Sequence, residues 1–177
     1  MGMSFASLDD KTRRFMLDEL DHDVTANKLY LSPRLDDAGC RNYEKLLRSA
    51  IQSGDEFSLA SSVAGFIRAY EQRAKPSGGY TSAKVPVTAA QTLAEGEFNR
   101  FYCRGVCARA IDEGLDAVEV YRGKPVRDPR PQSEALVGSR LPAHRLLHDL
   151  QTNIGVDTAL GVPAGPNSGL TIRLPQP

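Results

Sequence analysis

Surplus charge is the first thing this chain of 177 residues lacks: 22 Lys and Arg stand against 22 Asp and Glu. The halves agree, with 12 of each sign in residues 1–88 and 10 of each in 89–177. Bulk electrostatics therefore gives no drive toward nucleic acid or an anionic membrane. Long apolar runs are missing too. Nothing approaches the ~20 residues of a transmembrane helix, and MGMSFASLDDKTRR carries no apolar secretion segment, so the expectation is a cytoplasmic protein with no membrane contact. Cysteine is scarce: Cys40, Cys103 and Cys107 make no disulfide framework and suit a reducing compartment. Catalytic signatures are absent as well. His22, His144 and His148 stand beside no Gly-x-Ser-x-Gly elbow or cysteine-protease motif, and no acidic pair stands out, so no catalytic residue and no cofactor is assigned.

What is present is an ordinary globular composition, 41% apolar and 25% charged, in a chain long enough for one sizeable core. The organising stretch is Thr88 to Gly114, TAAQTLAEGEFNRFYCRGVCARAIDEG. Thr88 and Gln91 have capping-box spacing, and Gly114 stands where a left-handed residue closes a helix. Between them the apolar residues fall on several sides. Leu93 and Ile111 lie on one, Phe98 and Phe101 on another, Tyr102, Val106 and Ala110 on a third. A helix apolar on several sides is enclosed by other elements. Glu97, Arg100 and Arg104 follow at i, i+3 and i+7, so the first two can pair along the helix; the alternative is an arginine fork that reaches an anionic partner.

Ahead of this helix the pattern predicts a helix over 8–20 capped by Ser7, a helix start at Ser32-Pro33 with a clear run over 40–53, and a third helix over 56–73 capped by Asp55. The Pro, Gly and Ser of AKPSGGYTSAKVP mark a loop. Behind it, Asp116–Arg122 alternates as a strand, prolines keep 123–140 extended, a last helix covers 142–153, and Leu170–Leu174 closes as a strand. The fold class is α+β and helix-rich: a helical region over 1–75, a loop or linker over 76–87 and an α+β region over 88–177, together one compact domain.

Three features could carry chemistry. Residues 122–145 hold Arg122, Lys124, Arg127, Arg130, Arg140 and Arg145 against Asp128 and Glu134, a local excess of four positive charges. This arm is the candidate partner-binding surface, for a phosphate backbone or an acidic protein. The first helix and its exit, with Asp9, Asp10, Asp18, Glu19, Asp21 and Asp23, are acidic in turn, which suits head-to-tail association of copies. Cys103/Cys107 and His144/His148, each pair at i, i+4, would supply four zinc ligands if they met. Buried thiols beside solvated histidines are the commoner outcome of such a pattern, so no metal is assigned. Gly161-Val-Pro-Ala-Gly165-Pro-Asn-Ser-Gly169 has no lysine and precedes a strand, which rules against a phosphate loop.

The segments KVPVTAAQTLAEGEFNRFYCRGVCARAI, VEVYRGKPVRDPRPQSEAL and LGVPAGPNSGLTIRL resemble uncharacterised small proteins of bacterial and phage-derived genomes. The resemblance covers roughly the C-terminal half and part of LYLSPRL. It carries over no functional residue; for a phage-encoded chain it implies a structural or accessory role in a virion or assembly rather than metabolism. The expected function is thus a non-enzymatic assembly or adaptor protein whose partner is itself or a larger protein assembly, located in the cytoplasm or, if phage-encoded, in the virion. The alternatives are a nucleic-acid accessory factor using the basic arm and a small zinc protein or enzyme.

Overall fold

Aspartates start the first three helices. The computed structural model describes residues 2–156, 158–163 and 168–176. Helix α1 (Asp10–Thr25) opens with the Thr12 amide donating to Asp9 at 2.9 Å. The cap is Asp9, not Ser7, whose hydroxyl instead accepts the Leu174 amide. Helix α2 (Asp37–Ser53) opens on Asp36, which takes the Gly39 amide at 2.6 Å, so Ser32-Pro33 lies before the helix. Helix α3 (Glu56–Val63) has a capping box between Asp55 and Ser58 and runs into a 3₁₀ turn over Ala64–Phe66.

The sequence-predicted continuation of that helix to residue 73 is wrong. The chain leaves the 3₁₀ turn extended, bridges Ile67 to Leu35, and forms a two-stranded antiparallel hairpin of β1 (Tyr70–Ala74) and β2 (Tyr80–Lys84). Tyr70 stands at helical spacing from Val63 and Ile67, which imitates a buried helical face. It is 64% exposed and belongs to a strand. The 76–87 loop is accordingly a hairpin tip, strand β2 and a short lead into the next helix.

Helix α4 (Ala89–Asp112) is the enclosed spine that its many-sided apolar pattern predicts. It packs against α1, α3 and α6 (Ala143–Thr152) and against strands β3 (Ala117–Arg122) and β5 (Leu170–Arg173). Phe98, Tyr102, Val106 and Ala110 have no exposed surface. The start departs from expectation: Thr88 makes no side-chain cap bond. The end does not. Gly114 has φ of 71°, its amide reaches Ile111 and the Leu115 amide reaches Ala110 at 2.8 Å, a Schellman closure that holds the last carbonyls.

Gly105 lets α1 and α4 touch. A Cβ there would stand 2.5 Å from Met16 Cγ, 3.0 Å from the Met16 amide nitrogen and 3.1 Å from the Thr12 carbonyl oxygen, two of them backbone atoms that cannot swing away. Gly105→Ala is expected to lower stability by about 1–3 kcal/mol in chemical denaturation, the range for overpacking. An unchanged midpoint would contradict this close approach.

The larger sheet has the order β4-β3-β5, all antiparallel, with β4 at Arg140–Pro142. Val118 and Val120 of β3 face the core with Leu170 and Ile172 of β5, as alternation predicts. The segment expected to stay extended after β3 instead contains helix α5 (Pro131–Leu136). Pro131 occupies the first helical position, where a missing amide hydrogen costs nothing because that donor has no intrahelical acceptor. The chain is a helix-rich α+β fold, and among the described residues no helix is long and apolar enough to cross a membrane.

Candidate functional site

Three charged side chains of α4 leave the surface for the interior. Arg104, with no exposed surface, donates Nε to Glu19 Oε2 at 2.8 Å, Nη1 to Asp23 Oδ2 at 2.6 Å and Nη2 to Asp23 Oδ1 at 2.8 Å. Nη2 also reaches the Glu19 carbonyl at 3.1 Å, Gln151 donates to Glu19 from the far side, and Phe101 lies beneath the guanidinium at 4.9 Å. Burial opposes the charge, but Asp23 and Glu19 outweigh it and the arginine pKa rises. One guanidinium thus satisfies two buried carboxylates from successive turns of α1.

One turn earlier, Arg100 reaches the end of α6. Nη1 donates to the Leu150 carbonyl at 3.5 Å and the Asn153 carbonyl at 2.7 Å, and Nη2 to the Val156 carbonyl at 2.6 Å. A cation on these carbonyls stabilises the helix C-terminus. The arginine fork is therefore turned inward on both prongs, and neither guanidinium is presented to a partner.

Glu97 is the odd member. It is 6% exposed, its nearest Arg100 contact is 3.8 Å from Nε, and its carboxyl takes part in no hydrogen bond among the described residues. The Glu97–Arg100 contact that the spacing allows is thus a buried one. Burial pushes the Glu97 pKa up from 4.5 to about 7, against the pull of Arg100 and Arg104 and helped by Asp23. Tyr43 of α2, with no exposed surface, has a hydroxyl without a hydrogen-bond partner among the described residues. Its pKa is raised chiefly by burial, then by the charges of Glu97 and Tyr30.

The other sequence candidates fall as follows. Cys103 and Cys107 are fully buried, whereas His144 and His148 are exposed on α6, so the four side chains do not converge. Burial lifts the Cys103 thiol to about 12 and that of Cys107 well above its ordinary value. Neither thiol is poised to ionise as a ligand. Among the described residues no group of three or more His, Cys, Asp or Glu is placed to hold a metal.

The basic arm is folded back instead of projecting, since β4 pairs with β3. Arg122 donates to the Ser168 carbonyl at 2.7 Å and to Glu134 at 2.6 Å, and Lys124 pairs with Glu95 at 2.5 Å. Arg127, Arg130 and Arg140 are exposed and make no ion pair among the described residues. The acidic face of α1 is largely neutralised from within: Glu19 and Asp23 by Arg104, Asp9 by Arg109 and Asp21 by Arg48. Residues 164–167 of the glycine- and proline-rich tail lie outside the described residues.

The most open element is the hairpin. In the register Tyr70↔Lys84, Gln72↔Ser82 and Ala74↔Tyr80, these six residues share one face, and all six are exposed. Tyr80 is 73% exposed. The opposite face is fastened to the body: Arg34 grips Glu71 with Nε at 2.6 Å and Nη2 at 3.2 Å. The Arg68 amide adds a bond to the Arg34 carbonyl at 2.8 Å. At the tip the Lys75 amide bonds to the Gly79 carbonyl. The ribbon is thus anchored at its base and bare along its outer face.

Against known proteins, no family model, no curated protein and no solved structure matches this chain.

Sequence reasoning missed the hairpin and the burial of the Glu97 carboxyl. The hairpin had a legible sign, Lys-Pro-Ser-Gly-Gly between two tyrosine-led pentads. Glu97 had none, because its spacing to Arg100 is that of any surface pair.

Proposed function

We propose that this protein is a non-enzymatic assembly or adaptor protein that works through protein–protein contacts, with the β1–β2 hairpin as its principal contact element. The observation that supports this reading is the outer face of that hairpin, where Tyr70 and Tyr80 stand on one exposed surface above a base fixed by Arg34 and Glu71. A two-stranded ribbon is only marginally stable by itself in water, and its outer edges offer unpaired amides and carbonyls. Addition to a partner's sheet or burial of the tyrosines satisfies both. Tyrosine is enriched where proteins meet because it combines a large apolar ring with a polar tip. The exposed Arg127, Arg130 and Arg140 add a cationic rim that suits an acidic protein surface. If the chain is phage-encoded, the assembly would be a virion or a prophage-encoded particle.

Sedimentation of the purified protein is expected to give a mass above the 19.3 kDa of one chain, either alone or with the protein that co-purifies. Tyr70→Ser with Tyr80→Ser is expected to return it to a monomer while changing its own folding stability by no more than about 0.5 kcal/mol, as for other open surface positions. A wild-type monomer that co-purifies with nothing would refute the reading. So would association that the tyrosine variant leaves untouched but that moderate salt and loss of Arg127 and Arg130 abolish, the behaviour of a nucleic-acid factor.

A further inference from the structure

A cavity of about 200 Å³ opens beside the start of α4, lined by Glu97, Glu95, Thr92 and Gly96 of that helix, by Tyr30, and by Val156 after α6. Its volume corresponds to roughly half a dozen water molecules at about 30 Å³ each, too small for a nucleotide and enough for a short-chain compound. The charges around it are unevenly satisfied. The cations are taken: Arg100 by three carbonyls and Lys124 by Glu95. Glu97 is less well satisfied: it is 6% exposed, takes part in no hydrogen bond among the described residues and has Arg100 Nε no nearer than 3.8 Å, and the Tyr43 hydroxyl has no hydrogen-bond partner among those residues either. Buried polar groups without partners are rare, and each marks a missing occupant or a functional strain.

We infer that this cavity binds a small organic cation, a primary ammonium on a short apolar chain, with the ammonium on the Glu97 carboxylate and the chain against Leu93 and Val156. The reasoning is one of complementarity. An ammonium brings three donors and no acceptor to a place that has acceptors to fill. An organic anion would meet the like charge of the Glu97 carboxylate, while Arg100 already directs both of its Nη atoms at backbone carbonyls. A neutral alcohol supplies one donor and brings no positive charge to the carboxylate. Pairing with a cation is also what makes a buried carboxylate tolerable, since its isolated charge is costly away from water.

Gly96 allows a steric control. A Cβ at that position would meet nothing within 4 Å, so a larger side chain has room to grow from the cavity wall without disturbing the helix.

The experiment is calorimetric titration of the full chain with n-butylammonium chloride, sodium butyrate and 1-butanol. At pH 8 n-butylammonium is expected to bind saturably with one site per chain, and the other two are not. Glu97→Gln is expected to weaken binding at least tenfold, and Gly96→Leu to abolish it with Glu97 intact. Both variants are checked for unchanged circular dichroism, so that lost binding is not lost folding.

Proton competition supplies a second reading. The charged and titratable groups around Glu97 are Arg100 and Arg104 from its own helix, Asp23 from α1, Tyr43 from α2 and, on the cavity wall, Glu95 and Tyr30. The Glu97 carboxyl itself titrates near 7, so n-butylammonium affinity is expected to fall about tenfold between pH 8 and pH 6 as it takes up its proton. The inference is overturned by no saturable n-butylammonium binding at pH 8, by equal binding in Glu97→Gln, or by butyrate binding in its place. The Tyr70/Tyr80 variant of the hairpin is expected to bind n-butylammonium like the wild type, so this site and the assembly reading stand or fall separately.

Discussion

Arg104→Met is expected to destabilise the protein by about 3–5 kcal/mol, the cost of removing one partner from a buried ion pair. The magnitude follows from what remains: Glu19 and Asp23 face each other in the interior, with Gln151 still donating to Glu19 and no cation between them. Methionine keeps most of the apolar stem and volume, so the loss reports chiefly the charge, its donors and its cation–π contact with Phe101. Domains of this kind have about 5–15 kcal/mol in total, so the variant is left close to its unfolding threshold. Thermal unfolding is expected to shift down by roughly 10 °C, from about 2–4 °C per kcal/mol at this chain length. Adding Glu19→Leu and Asp23→Leu is expected to recover much of the loss, because apolar replacement of a whole buried charge cluster is close to neutral. If the triple variant is as weak as the single one, the cluster holds α1 on α4 by geometry that hydrocarbon does not reproduce. A single variant as stable as wild type would show that Arg104 does not satisfy the two carboxylates.

Glu97→Gln is expected to act in the opposite direction, and to reveal itself through pH. The folded-state pKa of about 7 lies above the ordinary 4.5 because burial disfavours the charge. Between those two values the unfolded chain releases this proton while the native state keeps it. The unfolded state therefore binds fewer protons, and stability falls as pH rises through the window. Above pH 7 the whole penalty is present, up to about 3 kcal/mol for a difference of this size. Glutamine removes the charge and with it the pH dependence from this position. Denaturant unfolding at pH 5 and pH 8 is expected to show the variant gaining on wild type at pH 8, with little difference at pH 5. Parallel behaviour at the two pH values would mean that Glu97 is ionised without penalty in the native protein. A carboxyl kept at such a cost in every folded molecule needs a reason, and a cationic ligand that offsets the penalty when it binds supplies one.

The two arginines of α4 show how far spacing can be read. Their positions at i, i+3 and i+7 with Glu97 placed all three on neighbouring turns, which is local geometry and needs nothing but the helix. Whether such a trio faces water or the core depends on what lies over it. Here α1 brings Glu19 and Asp23 to Arg104, and the turn after α6 brings its carbonyls to Arg100, from 81 and 53 residues away in the chain. No local pattern announces partners at that separation. The same holds for the acidic face of α1, which reads as a surface patch and is answered from within by Arg104, Arg109 and Arg48.

The hairpin failed for a different reason. Its solvent face is polar except for Ala74 and the tyrosines, and its inner face is held by the Arg34–Glu71 pair and not by apolar packing, so the period-2 signal of a half-buried strand is missing. Helical spacing from Val63 to Tyr70 then prevailed by default. Helix α5 went unseen because proline was weighed only as a helix breaker, although its first-turn position is favourable.

By itself the sequence determined the α+β class, the enclosed α4, its glycine closure at Gly114 and the late strands, because these rest on periodicities and caps contained within one segment. Tertiary structure alone decided which charges are buried, which residues surround the cavity at Glu97, and that residues 70–84 stand out as a ribbon. Those outcomes depend on elements far apart in the chain coming together, where desolvation and a partner's position set the energy of each charge.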